Sequence, residues 1–386
     1  MSGPHRFAVL AAATLLVLAT VSGPTMWRAP DDAAITGPYA ALLAASTDLG
    51  PSRAADAQLT VTLSGAAPPG TLIGWADAHG LAVRWRTGDD WAIVTGPAGR
   101  LAAAFAVPVH DYRGRRGQVF YASTHQPPLP FALRGEVTAV GRILSYLPHR
   151  TARPAFPRDV PRPGLTPRHL LTTYNATPLV DAGYTGKGAT IVIFGFDGYD
   201  QRDLDMFADI SGLPRFAPVV IGAPLDPPHG ETVMDLEVAH AIAPDARLVV
   251  VNARPTLQGG GTFEKIGRMF DDAARRFPGS VWSLSIGWGC DAFAAEADLA
   301  PVRAALTNAH RRGITVFDAT GDIGGLECKG GKDWSTAPGP HDIGVDTIAA
   351  LPEITAVGGT TLSTDLDGRW LQEQAWIDVP MSQGSS

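Results

Sequence analysis

Four apolar runs beyond Thr166 constrain this 386-residue chain more than any other feature: ATIVIFGF (189–196), ARLVVVNA (246–253), SVWSLSIGWG (280–289) and ITVFDATGD (314–322). They lack the polar/apolar alternation of a strand that shows one face to water. Between them lie ETVMDLEVAHAIA (231–243), TFEKIGRMFDDAARRF (262–277) and LAPVRAALTNAHRRG (299–313), whose apolar positions recur at helical spacing. Strands buried on both faces and separated by crossover helices predict a parallel sheet covered by helices. Such sheets carry their functional groups at the carboxyl ends of the strands.

The N-terminal part follows a different grammar. LTVTLS (from Leu59), LAVRWR, WAIVTG, VPVHDYR and QVFYAS read as strands, and PPGTLIGWADAHG and PAGRLAAAFA as helices opened by proline. The order β-α-β-β-α-β predicts a ferredoxin-like α+β domain over roughly residues 59–145, with residues 31–57 giving loop and a weak helix. Prolines at 148, 154, 157, 161, 163 and 167 then forbid helix and central strand, so this stretch reads as a stiff, exposed, Arg-bearing linker open to proteolysis.

Composition supports a large core, with 45% hydrophobic and 18% charged residues. The net charge of −7 provides no basic surface for nucleic acid or an anionic membrane. MSGPHRFAVLAAATLLVLATVSG begins with His5 and Arg6, continues as an apolar run from Phe7 to Val21 and ends in small residues. That is the layout of a secretory signal, too short for a comfortable membrane span, although Pro24 after Gly23 leaves an uncleaved anchor as the alternative. In an exported chain the two cysteines, Cys290 and Cys328, suggest one disulfide joining the loops after two adjacent strands. No CxxC and no HExxH occurs, which argues against structural zinc and zincin chemistry.

Within HGETVMDLEVAH (229–240), Glu231 and Asp235 lie one helical turn apart on one face, where like charges repel. Their context repeats a pattern. Glu231-Thr-Val-Met-Asp235-Leu, APDAR (243–247), LTPRHLLTTYNATPLVDAGYTGKG (165–188), TGDIG (320–324) and ITAVGGTTL (354–362) stand in family order. Together they resemble the sedolisin family, serine-carboxyl peptidases built on a subtilisin-like parallel sheet. HGLAVRW, AAAFAVPVHDYRGRRGQVFYA and LPFAL are similar to the pro-kumamolisin activation domain.

The resemblance implies a precursor. Residues 1–30 would be a signal peptide or anchor, 40–147 an activation domain, 148–167 a processing linker and 168–386 a peptidase domain cut short. It implies a secreted endopeptidase acting on proteins and peptides at acid pH, with its own pro-domain as partner. Glu231 would be the general base, Asp235 the acid that orients it, and Asp322 the oxyanion acid, with Thr320 where the family has Ser. A carboxyl group donates to an oxyanion only when protonated, which favours acidic working conditions. The family nucleophile lies in a Gly-Thr-Ser-x-x-x-Pro motif downstream of AVGGTTL, and Ser385 and Ser386 align with a structural turn instead. The family's calcium ligands also lie further on. The chain as given is therefore expected to be inactive by itself. ALPEIT (350–355) departs from the family's Pro-Ala-Ser-x-Pro approach.

Two other readings compete. One is a subtilisin-like Ser-His-Asp protease with His229 as base, disfavoured because Asp322 stands where subtilisins place Asn. The other is a secreted non-catalytic relative that binds or inhibits. Asp197, after the first apolar run, reads as a loop residue, and His240 as a helix-face histidine.

Overall fold

The computed structural model describes residues 34–114, 117–146, 165–222, 230–258, 260–329 and 337–375. The apolar N-terminal run, most of the Pro-rich linker, His229, Ser385 and Ser386 lie outside the described residues. Among those described, no helix is long and apolar enough to cross a membrane.

The N-terminal part comprises α1 (Gly37–Ala44), β1 (Thr47–Pro51), β2 (Ala57–Leu63), α2 (Gly70–Ala78), β3 (Ala82–Arg84), β4 (Trp91–Gly96), α3 (Ala98–Ala104), β5 (Val109–Arg113), β6 (Val119–Ser123) and β7 (Val137–Val140). Strands β3-β4-β2-β7 form one antiparallel sheet in the split βαβ order of ferredoxin-like folds. The closing strand differs from expectation. VHDYR and VFYAS pair with each other and with β1 in a separate three-stranded sheet, and the short VTAV of β7 closes the first sheet instead. The aromatic residues explain the split, because Tyr112 and Phe120 stack at 5.8 Å and bury with Tyr39 and Leu43 of α1 in a core of their own.

Next come α4 (Pro167–Thr173), α5 (Thr177–Asp181), β8 (Thr190–Gly195), α6 (Gln201–Ser211), β9 (Val219–Ile221), α7 (Glu231–Ile242), β10 (Arg247–Asn252), α8 (Thr262–Arg276), β11 (Val281–Leu284), α9 (Ala300–Arg311), β12 (Thr315–Ala319) and β13 (Thr355–Val357). The six strands form an all-parallel sheet in the order β13-β12-β11-β8-β10-β9. A hairpin, β14 (Thr360–Thr364) and β15 (Trp370–Ala375), follows.

Side-chain alternation along the strands shows why these runs are apolar throughout. Val192 and Phe194 of β8 and Val249 and Val251 of β10 point into one core, with Ile266 and Phe270 of α8 and Val302 and Leu306 of α9. Ile193, Leu248 and Val250 point the other way, onto Leu204 of α6 and Leu236 of α7. Both faces are covered, so the expected fold class holds: a parallel α/β sheet preceded by a ferredoxin-like α+β domain. Helices α8 and α9 approach closely at Gly267, where an added Cβ would lie 2.4 Å from the Pro301 carbonyl oxygen.

The N-terminal domain docks on α8 and on the loop before α9 through arginines. Arg268 makes a forked pair with Asp89 (3.3 and 2.7 Å) and lies over the Trp91 ring, while Arg84 reaches Glu264 at 2.6 Å. Arg142 Nη1 donates to the carbonyls of Ala292 and Phe293, and its backbone N–H donates to Asp298, 2.9 Å away.

Phe194 is 1% exposed and meets Phe270 and Trp282 edge-on at 5.2 and 5.1 Å. Phe194→Ala is expected to cost about 3–5 kcal/mol, whereas Leu366→Ala, at a 90% exposed residue, should change stability by less than about 0.5 kcal/mol. Denaturant unfolding followed by tryptophan fluorescence checks both.

Candidate active site

Helix α7 runs back from the carboxyl edge of the sheet, because it connects β9 to the parallel strand β10. Its first residue, Glu231, therefore stands at that edge, with Asp235 one turn further in and both partly buried. The ends of β8, β11 and β12 supply the neighbours.

Ser285, just past β11, donates its hydroxyl to Asp235 Oδ1 at 3.1 Å. Asp197, just past β8, accepts from the Thr232 backbone N–H at 3.0 Å and from the Thr232 hydroxyl at 2.5 Å. The helix N-cap is Gly230, which has no side chain to satisfy the first-turn N–H groups, so Asp197 performs that service from another strand end. Asp197 lies in the loop after β8, as read, but it is 6% exposed and joined to the helix that carries the acid pair. A lone Asp after a strand gives no signal of this in sequence; the contact is tertiary.

The electrostatics follow from burial. Glu231 is pushed up to about 7, first by desolvation and then by the charges of Asp235, Asp322 and Asp197. Asp235 is pushed up to about 6 by desolvation, with the Ser285 hydroxyl pulling it down and Asp197 adding to the rise. The helix N-terminus favours an ionised Glu231, but that effect is only about 0.3–1 kcal/mol at exposed sites, and burial outweighs it. The charge of Asp235 raises Glu231 through space, with no direct hydrogen bond between the two carboxyls.

Asp322 sits on the turn after β12, its side chain exposed, close enough for its charge to act on Glu231. The structure thus brings Glu231, Asp235 and Asp322 to one end of the sheet. His240 stays apart. It is buried, stacked on Phe216 at 3.9 Å and hydrogen-bonded to the Pro214 carbonyl at 2.7 Å, as a core histidine would be.

Beneath these loops lies a second set of acids that the sequence did not announce. Asp346 accepts the N–H groups of Trp288, Gly289 and Ile348, tying the loop after β11 to the segment before β13. Burial raises it to about 7. Asp318, inside β12, is 1% exposed with both carboxyl oxygens unpaired, and burial next to Asp346 raises it strongly. Glu327, 4% exposed, accepts the Asp322 N–H at 2.9 Å. Cys290 and Cys328 form a disulfide, S–S 2.01 Å, across the two loops. Among the described residues, the cluster Cys290, Asp291 and Cys328 gathers three candidate metal ligands, but two of them are consumed by that bond. That cluster therefore does not fit a calcium cage.

Comparison with known proteins agrees with the motifs. Residues 70–146 match the family model of the pro-kumamolisin activation domain. The chain is 28% identical over 328 residues to kumamolisin from Bacillus sp. (strain MN-32), covering 79% of this chain and 56% of that one. It is 28% identical over 312 residues to sedolisin from Pseudomonas sp. (strain 101), covering 75% and 50%. The chain thus spans about half the length of these relatives. Among solved structures, Pseudomonas sedolisin, a serine-carboxyl proteinase complexed with two molecules of pseudo-iodotyrostatin, aligns with TM-score 0.45 and 25% identity over 55% of this chain and 58% of that one. The resemblance to the sedolisin family is borne out.

The raised carboxyls fix the sign of a pH effect. An acid whose pKa is higher folded than unfolded binds its proton more tightly in the native state, so stability falls as pH rises between the two values. Asp235 and Asp298 at about 6, and Glu231 and Asp346 at about 7, all act in this direction. Unfolded carboxyls titrate near about 4, so the melting temperature should fall as pH rises from about 4 to about 7. Asp48, Asp200 and Asp209 are shifted down and oppose this only at lower pH, while His240, lowered by burial, opposes it within the window with a single group against four. Calorimetry from pH 4 to 8 tests it; a melting temperature that rises over that range contradicts the assignment.

Proposed function

We propose that this chain carries the activation domain and the acid residues of a secreted serine-carboxyl endopeptidase that cleaves proteins and peptides under acidic conditions. The observation that carries the reading is the pairing of Glu231 with Asp235 at the carboxyl edge of the sheet, within electrostatic reach of Asp322. Paired acids on a helix are otherwise usually a solvated face. These are partly desolvated, backed by Ser285 and anchored through Thr232.

In this reading Glu231 takes the proton of an attacking serine hydroxyl, and Asp235, held by Ser285, acts on the Glu231 carboxyl through its charge and raises its proton affinity. A protonated Asp322 donates a hydrogen bond from its carboxyl O–H to the carbonyl oxygen as it becomes an oxyanion. The pH dependence has two opposing parts. Glu231 must be ionised to act as base, and its upward shift works against acid operation. Asp322 must be protonated to donate, which favours acid. Activity should therefore follow a bell whose acid limb reports the coupled pair rather than either residue.

The N-terminal domain is assigned the role of intramolecular chaperone and inhibitor, and the Pro-rich segment 148–167 that of processing region. The three arginine contacts to α8 and to the loop before α9 support this, since they hold the domain on the peptidase part.

Two experiments check the proposal. In the protein at its full genomic length, Glu231→Gln should lower peptide cleavage by about 10²–10⁴-fold with folding intact, and Asp322→Asn should be milder because an amide still donates. Cleavage that is unchanged in Glu231→Gln refutes the assignment, and absence of any acid-pH cleavage by the processed protein favours a non-catalytic binding role. Separately, the isolated N-terminal domain should inhibit the processed enzyme at micromolar concentration; no inhibition removes its assigned role.

A further inference from the structure

The turn that carries Asp322 is built over a buried acid. Gly321 has φ +107°, and a Cβ placed there would lie 2.2 Å from Glu327 Oε1, so the backbone passes directly across that carboxyl group. One residue later the Asp322 N–H donates to the same oxygen at 2.9 Å, while the Asp322 side chain points into solvent.

Glu327 is itself held on both sides. Its backbone N–H donates to the Gly344 carbonyl at 3.1 Å, and the Gly344 N–H donates back to the Gly325 carbonyl at 2.9 Å. The next residue, Cys328, is covalently tied to Cys290 in the neighbouring loop. An exposed turn can satisfy a backbone N–H with water at little cost, whereas here a carboxyl group is buried beside another acid, Asp346, to accept it. The acceptor is fixed in place by the surrounding structure, as a solvent water would not be.

We propose that Glu327 is the positioning residue of the Asp322 turn: by accepting the Asp322 N–H from below, it fixes where the Asp322 carboxyl group can reach, with the Cys290–Cys328 bridge holding Glu327 in register. The catalytic consequence rests on the reading of Asp322 as oxyanion acid; the placement of the turn does not. Misplacing a reacting group by about 1 Å costs on the order of a hundredfold in rate, so the effect belongs in kcat and not in KM.

Two variants separate the roles of the side chain. Glu327→Gln keeps an oxygen acceptor at the same distance, while Glu327→Leu removes it. Hydrogen exchange at the Asp322 amide reports the turn, and kcat and KM of the full-length processed protein report the chemistry. Glu327→Gln is expected to keep the amide protected and kcat within about 3-fold of wild type. Glu327→Leu should lose about tenfold or more in protection and about tenfold or more in kcat, with KM nearly unchanged. If Glu327→Leu does not fold, Glu327→Asp, which withdraws the acceptor by one methylene, carries the same expectation. An Asp322 amide as protected in the Leu or Asp variant as in wild type overturns the proposal. Protection lost with kcat unaltered supports the positioning and overturns instead the assignment of Asp322 as oxyanion acid.

Discussion

Water is the constraint on which the rest of this molecule depends: a parallel sheet with helices on both faces excludes it from everything but the strand ends. Ile193 and Val250 on one face, and Phe194 and Val251 on the other, fill both sides of the sheet with apolar side chains. Asp318, inside β12, shows what happens otherwise. Both its oxygens are unpaired, and burial holds it far above the usual carboxylate range. The same desolvation, weaker at the rim, lifts Glu231 and Asp235 without suppressing their ionisation altogether. Position relative to the sheet edge thus grades the acids, from Asp318 inside the sheet to the half-buried Glu231 and Asp235 at its rim.

Placement of the acid pair is a backbone problem solved with side chains. Gly230 gives α7 the positive φ of 112° needed to enter the helix, but it leaves the first turn uncapped. Asp197 makes up for it from the end of β8. Asp346 does comparable work between the loop after β11 and the segment before β13, gathering three N–H groups that no strand supplies. Acids are suited to both tasks, because a carboxyl group offers several acceptor sites in one rigid plane.

Sequence carried the architecture well wherever periodicity was long. The apolar runs became β8, β10, β11 and β12, and the intervening helical patterns became α7, α8 and α9. Short elements misled. VTAV, only four residues between Glu136 and Gly141, forms β7, while the more strand-like VHDYR and VFYAS left to build another sheet. For the site, Glu231, Asp235 and Asp322 were readable only because neighbouring motifs stood in a recognisable order. Asp197, Glu327 and Asp346 were not readable at all: each bonds a residue at least five positions away, and spacing along the chain encodes none of those encounters.

The docking of the two domains through charged forks has a consequence for compatibility. Asp89 with Arg268, and Arg84 with Glu264, set a donor on one side against an acceptor on the other in opposite senses, so the two contacts form a small directional code. A foreign activation domain that matched the apolar contours but carried Lys in place of Asp89 would face Arg268 with like charge in a half-dry setting. Reversing both members of one pair would instead restore recognition between the altered partners alone. Complementary exchanges of this kind would leave the two domains matched to each other and mismatched to any other partner.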